Sequence, residues 1–204
     1  IRQQLLYPFY LAALKDISLI HFPAHMDAPS WCKIPTIVTV LDLIPFLFPE
    51  LYKPEQGGIR FKLARFLETK GILNAKRIIA ISNTTAHDVE RVLGISRSRI
   101  SVTPLGIGEE FFQGEAILGY RDQYNINPNV PVFLYVGGID PRKNIERLLE
   151  AIAKAKGTLL IAGKIESERN YPKIKSLINR LNIEDKVKFL GFVSDEELKG
   201  LIRS

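Results

Sequence analysis

The chain has 204 residues, 46% hydrophobic and 25% charged, with a formal net charge of +6; that length allows one large or two small domains of ordinary globular composition. Its one cysteine, Cys32, excludes an intramolecular disulfide and fits a reducing compartment. The longest apolar stretch, "IPTIVTVLDLIPFLF", contains an Asp and two prolines and is too short and too broken to span a bilayer.

Taken in chain order, strand-like and helix-like runs alternate. A helical pattern (Leu5, Leu6, Phe9, Leu14) leads into a strand at "ISLIHF", 17–22. "TIVTVL" (36–41) is β-branched and apolar, as a buried parallel strand requires. "IRFKLARFLETKGILN" (59–74) repeats apolar positions three or four apart and predicts a helix. "RIIAI" (77–81) is a strand, after which Ser82 and Asn83 open a helix running to about Leu93 and ended by Gly94. "ISVTPLGI" (100–107) is a strand and its exit. Residues 109–129 are polar, Gly-bearing and acidic, and read as an interdomain linker.

A second unit follows from residue 130. "PVFLYV" is a strand, 144–156 a helix, "TLLIAG" (158–163) a strand, 171–182 a helix and "VKFLGF" (187–192) a strand, and Ser194 caps a final helix. Strands alternating with helices imply parallel sheets with right-handed crossovers, an α/β fold. The expected organisation is two Rossmann-like lobes, 1–108 and 130–204, joined by 109–129. The chain opens on Ile1 and closes inside a predicted helix, so both lobes are expected to be incomplete as given.

Charge follows the same division. Residues 1–108 carry a net +5, 109–129 a net −3 and 130–204 a net +4. Basic lobes favour anionic partners. Nucleic acid is disfavoured, because no dense Lys/Arg tract is interleaved with aromatics. His21, His25 and His87 lack metal-ligand spacing, and no Asp-x-Asp occurs, so no metal site is expected.

In open α/β sheets the ligand sits beyond the carboxyl ends of the strands. The polar and glycine residues predicted there are Asp42, Ser82, Gly106, Gly137, Gly138, Arg142, Lys143, Gly163, Lys164 and Gly191. The richest stretch is "VGGIDPRKN", 136–144, between a strand and a helix. It is neither a Gly-x-x-x-x-Gly-Lys-[Ser/Thr] loop nor Gly-x-Gly-x-x-Gly, which argues against a dinucleotide site. Two readings stay open: a tight turn with solvated Arg142 and Lys143 and Asn144 as helix cap, or an anion cradle at a helix start. Asp42 is equally a turn residue or a functional one, and Ser82 a helix cap or a functional residue.

The ordered blocks "TVLDLIPFLFPE", "AKRIIAISNTTAHDVERVLGI", "RISVTPLGIGEEFF", "FLYVGGIDPRKNIERLLEAIAKA", "TLLIAGK" and "VKFLGFVSDEELKGLI" resemble glycosyltransferase family 4, with the GT-B fold. The resemblance runs from about residue 19 to the end and lies nearest the mannosyl- and glucosyltransferase-like members. It implies a retaining enzyme using a nucleoside-diphosphate sugar without a metal or other cofactor. Arg142 and Lys143 would meet the donor diphosphate, with Gly137 and Gly138 allowing close backbone approach and Gly163 and Lys164 beside them. Gly191, Phe192 and Val193 would lie near the nucleotide base. Ser82 falls at a position that matters for activity in relatives, and Asp42 follows the strand where the family places a His-Asp pair. Here that pair is Leu41-Asp42, a departure that leaves the His function to another group. The family's Glu-x₇-Glu block lies beyond Ser204, so a complete active site is not expected in these residues.

The implied function is hexose transfer from a UDP- or GDP-sugar to a hydroxyl of a glycan or lipid-linked acceptor, in polysaccharide or glycolipid synthesis. The implied setting is cytoplasmic, with peripheral membrane contact. The alternatives are a non-catalytic nucleotide-sugar-binding relative, which Leu41 favours, and a sugar-nucleotide epimerase of the same fold.

Overall fold

The computed structural model describes residues 2–52, 58–113, 119–165 and 168–204. Contacts divide the chain into two compact units, Ile1–Gly106 and Ile107–Ser204.

In the first unit, α1 (Arg2–Ala12) precedes β1 (Ile20–Phe22), β2 (Thr36–Val40), β3 (Arg77–Ala80) and β4 (Ile100–Val102). These form one sheet in the order β1-β2-β3-β4, with every pairing parallel. The crossovers carry α2 (Ile44–Leu47), α3 (Ile59–Asn74) and α4 (Asn83–Leu93). The helix predicted over 59–74 is present with those bounds. α4 begins and ends where predicted: Ser82 caps it and Gly94 closes it in the left-handed region. The core gathers Phe22, Val38, Val40, Leu43, Ile72, Ile78, Val89 and Ile95. Each such side chain contributes roughly 1.5–3 kcal/mol by leaving water.

A charged cluster is buried in this unit. Glu68 on α3 is 6% exposed and His25 is 5% exposed. Arg65 Nη1 lies 2.9 Å from Glu68 Oε2, and His25 Nε2 lies 3.0 Å from Oε1. The His25 contact is at ion-pair distance without hydrogen-bond alignment, and His25 Nδ1 has no partner among the described residues. The Arg65 guanidinium also lies over the rings of Phe46 and Phe61, which shield the pair from water.

The second unit holds α5 (Tyr120–Gln123), β5 (Val132–Val136), α6 (Ile145–Lys154), β6 (Thr158–Ala162), α7 (Tyr171–Leu181), β7 (Val187–Gly191) and α8 (Asp195–Arg203). The sheet order is β5-β6-β7, all parallel. β6 is central and buried at all five positions. Side-chain alternation sends Leu159 and Ile161 to one face, against Leu149, Ile152, Ile174 and Ile178 of α6 and α7. It sends Leu160 to the other face, against Tyr120, Ile126 and Leu201. Of the stretch predicted as a linker, 109–129, residues 114–118 lie outside the described residues. Residues 119–129 are not an open tether, because Tyr120 and Ile126 are 7% and 5% exposed and belong to the second unit's core. Ser194 caps α8 as predicted, its Oγ accepting from Glu197 N at 3.2 Å.

Candidate functional site

The carboxyl edge of each sheet carries the predicted site residues, and the two edges are built differently. In the first unit, Asp42 follows β2, and its Oδ1 accepts from Ile44 N at 3.0 Å, which starts α2. Ser82 follows β3, and its Oγ accepts from Thr85 N at 3.0 Å. The Thr85 hydroxyl reaches Leu41 O at 3.3 Å and Ser82 Oγ at 3.0 Å, so it ties the ends of β2 and β3 together. Both predicted residues are half-buried; Ser82 caps its helix, and Asp42 makes a turn bond to the first residue of α2. Leu41 contributes only its carbonyl to this network.

In the second unit the strand ends are bare. Gly137, Gly163 and Gly191 stand at the ends of β5, β6 and β7 with φ of 143°, 151° and 68°. Gly137 N donates to Ala162 O at 3.0 Å, and Gly163 N donates to Gly191 O at 2.7 Å. A Cβ on Gly163 would lie 2.6 Å from the Gly137 carbonyl oxygen, so this backbone approach admits only glycine. The result is a ledge without side chains along the carboxyl edge. Beside it, Lys164 Nζ lies 5.2 Å from the ring centroid of Phe192, which is 70% exposed. Val193 packs into the cluster around Leu160.

The "GGIDPRKN" turn leaves this ledge and enters α6. Pro141–Lys143 form a single 3₁₀ turn, capped by Asp140 Oδ1, which accepts from Arg142 N at 2.9 Å. The Arg142 side chain returns to the same carboxylate, Nε to Oδ1 at 2.9 Å and Nη2 to Oδ2 at 3.2 Å. The Arg142 bonds, with Lys143 adding its charge, hold the Asp140 carboxyl below its usual range. Lys143 is exposed, and its ammonium has no hydrogen-bond or ion-pair partner among the described residues. The two cations are therefore not equivalent: Arg142 braces the turn and Lys143 projects from it. Asn144 corrects one expectation. It stands at the N-cap position but makes no side-chain cap bond: its backbone is left-handed, φ 53°, rather than in the extended conformation from which a side chain caps a helix.

Two residues that the sequence did not single out complete the turn. The Tyr135 hydroxyl donates to Gly138 O at 2.5 Å. Burial, with Glu168 and Asp140 nearby, raises its pKa above the ordinary 10.0. The Glu168 carboxylate accepts from Ile139 N, at 3.2 and 3.1 Å to its two oxygens. Local sequence offers no signal for Glu168, which comes from 29 positions away. Among the described residues no group of His, Cys, Asp and Glu is placed to hold a metal ion. No described helix is long and apolar enough to cross a membrane.

Two Rossmann-like parallel-sheet units, one with a bare and cation-flanked carboxyl edge, define an α/β protein suited to an anionic ligand. The chain belongs to Glycosyltransferase Family 4: that family's profile matches residues 3–111, and the Glycosyl transferases group 1 profile matches residues 119–204. It is 27% identical over 177 residues to the serotype-specific mannosyltransferase WbdA of Escherichia coli, covering 81% of this chain and 21% of that protein. In structure it is similar to a sucrose-phosphate synthase from Thermosynechococcus elongatus, with TM-score 0.68 and 23% identity, over 96% of this chain and 50% of that one. It is also similar to Anabaena HepE in complex with UDP-glucose, with TM-score 0.65 and 22% identity, over 91% of this chain and 50% of that one. These likenesses carry the GT-B fold. The chain spans about half the length of these solved structures and about a fifth of WbdA.

Proposed function

We propose that the full-length protein transfers a hexose from a UDP- or GDP-sugar to a hydroxyl of a glycan or lipid-linked acceptor, with retention and without a metal. The observation that carries this reading is the glycine ledge of Gly137, Gly163 and Gly191 beside the exposed Lys143. A ledge free of side chains lets a nucleotide approach the main chain closely. The Lys143 ammonium supplies a point charge for the phosphates. As the sugar departs, charge builds on the diphosphate, and a fixed cation then stabilises the transition state more than the ground state. Arg142 contributes through the turn that it braces. Phe192, with Lys164 over its ring, offers an apolar surface to the base. Asp42 and Ser82 belong to the acceptor-side unit, where Ser82 is read as contributing to activity beyond its cap. The UDP-glucose in the HepE complex and the mannosyltransferase name of WbdA favour a nucleotide-sugar donor and polysaccharide synthesis. The proposed setting is the cytoplasm, with peripheral contact to the membrane that carries the acceptor.

Thermal-shift titration of the full-length protein with UDP, GDP, ADP and their sugars tests the reading, since a ligand of the folded state raises the melting temperature by mass action. One diphosphate series is expected to stabilise, and EDTA to leave both binding and turnover unchanged. Sugar-nucleotide consumption without an acceptor would point to an epimerase. Binding without any turnover would point to a non-catalytic relative.

A further inference from the structure

The Gly-Gly turn already holds an anion of its own. Both Glu168 oxygens lie 3.1–3.2 Å from Ile139 N, the backbone donor that follows Gly138. The carboxylate reaches that position because residue 138 has no side chain: a Cβ there would lie 2.5 Å from Glu168 Oε1. The neighbouring hydroxyl does not compete for the carboxylate, because Tyr135 donates to Gly138 O instead. The turn is otherwise fixed by Gly137 N on Ala162 O and by the Asp140–Arg142 pair. One backbone N–H of the proposed diphosphate cradle is therefore occupied by a negative side chain of the same chain.

We propose that Glu168 is a resident anion, which competes with the donor's diphosphate for this turn and so sets the donor affinity. The inference rests on the nucleotide-sugar reading given above. A carboxylate on a backbone N–H forms a charge-assisted bond of the kind that a phosphate oxygen would form. An entering diphosphate must displace it or settle beside it, and in either case the Glu168 charge opposes binding. Glu168 is thus a specificity and positioning residue that weakens the hold on nucleoside diphosphate and eases its release after transfer.

Glu168→Gln separates charge from shape, because its amide oxygen still accepts from Ile139 N. The experiment measures UDP and GDP affinity by calorimetry in full-length wild type, Glu168→Gln, Glu168→Ala and Lys143→Ala, at low and high salt. Amide hydrogen exchange at Ile139 is followed in the ligand-free proteins. The expected result is about ten-fold tighter binding in both Glu168 variants, the scale of one charge-assisted bond. The gain should shrink at high salt, and Ile139 should lose protection only in Glu168→Ala. Unchanged or weaker binding in Glu168→Gln, with Lys143→Ala clearly weakened, overturns the proposal and leaves the cradle reading intact. Affinity and turnover both insensitive to Lys143→Ala, or no binding by wild type, overturns the cradle reading and the inference with it.

Discussion

The two units present the same kind of edge, the carboxyl ends of parallel strands, and equip it in opposite ways. In the first unit the polar residues at the strand ends turn inward: Asp42 starts α2, Ser82 caps α4, and Thr85 links Ser82 to Leu41. In the second unit the strand ends are glycines, and beside them the Lys143 ammonium has no hydrogen-bond or ion-pair partner among the described residues. The first edge is a rigid frame whose polar groups are satisfied internally. The second leaves its main chain uncovered by side chains, with an exposed cation beside it. A shared topology is therefore equipped differently at its strand ends, and under the proposed function the second edge is the one that would take the phosphates.

The contrast can be broken or sharpened by substitution. The largest effect is expected at Glu68, whose buried carboxylate lies against Arg65 and His25. Glu68→Ala leaves the Arg65 charge without its partner and should cost about 3 kcal/mol, read as a drop in the first unit's denaturation midpoint. In the second unit, Gly163→Ala forces a Cβ against the Gly137 carbonyl at φ 151°. A loss of about 2 kcal/mol is expected by the same assay. No loss would show that the ledge is not tightly built. Ser82→Ala should cost about 1 kcal/mol as a lost cap. A turnover loss beyond ten-fold with the fold retained is also expected. Unchanged turnover would make Ser82 a cap only and the first edge purely a frame.

The smallest effect concerns acid. The Arg142 bonds lower the folded Asp140 pKa from its ordinary 3.8. The stability that this pairing contributes is fully present above that ordinary value and is lost as pH falls through the folded one. Because the pair is partly exposed, the loss should be only a few tenths of a kcal/mol. Acid titration of wild type against Asp140→Asn measures it, and identical acid profiles would remove the brace from the account.

Much of this was legible in the sequence because it is local. Thr36–Val40 announces itself as a β-branched run and Thr158–Ala162 as a short apolar one, and Ser82, Gly94 and Ser194 mark helix ends by capping chemistry alone. The positions of Gly137, Gly163 and Gly191 at strand ends were equally readable. The Glu168–Ile139 bond and the His25–Glu68 contact were not, since they join residues that only the fold brings together. The unequal roles of Arg142 and Lys143 were half legible. Asp140 lies two positions from Arg142, but only the 3₁₀ turn shows which cation folds back onto it. Asn144 misled because its left-handed backbone does not give the extended geometry of a side-chain cap.

The central claim is that the Gly-Gly turn is a diphosphate cradle in which Lys143 carries the charge. Its most direct test is Lys143→Ala in the full-length enzyme, with turnover and nucleoside-diphosphate affinity measured together. Loss of a charge-assisted contact is worth about 1.5–3 kcal/mol, or roughly ten- to a hundred-fold. The turnover rate is expected to fall more than substrate affinity, because the contact strengthens as the leaving group gains charge. Turnover and affinity both within about two-fold of wild type would make Lys143 a solvated surface residue and contradict the account.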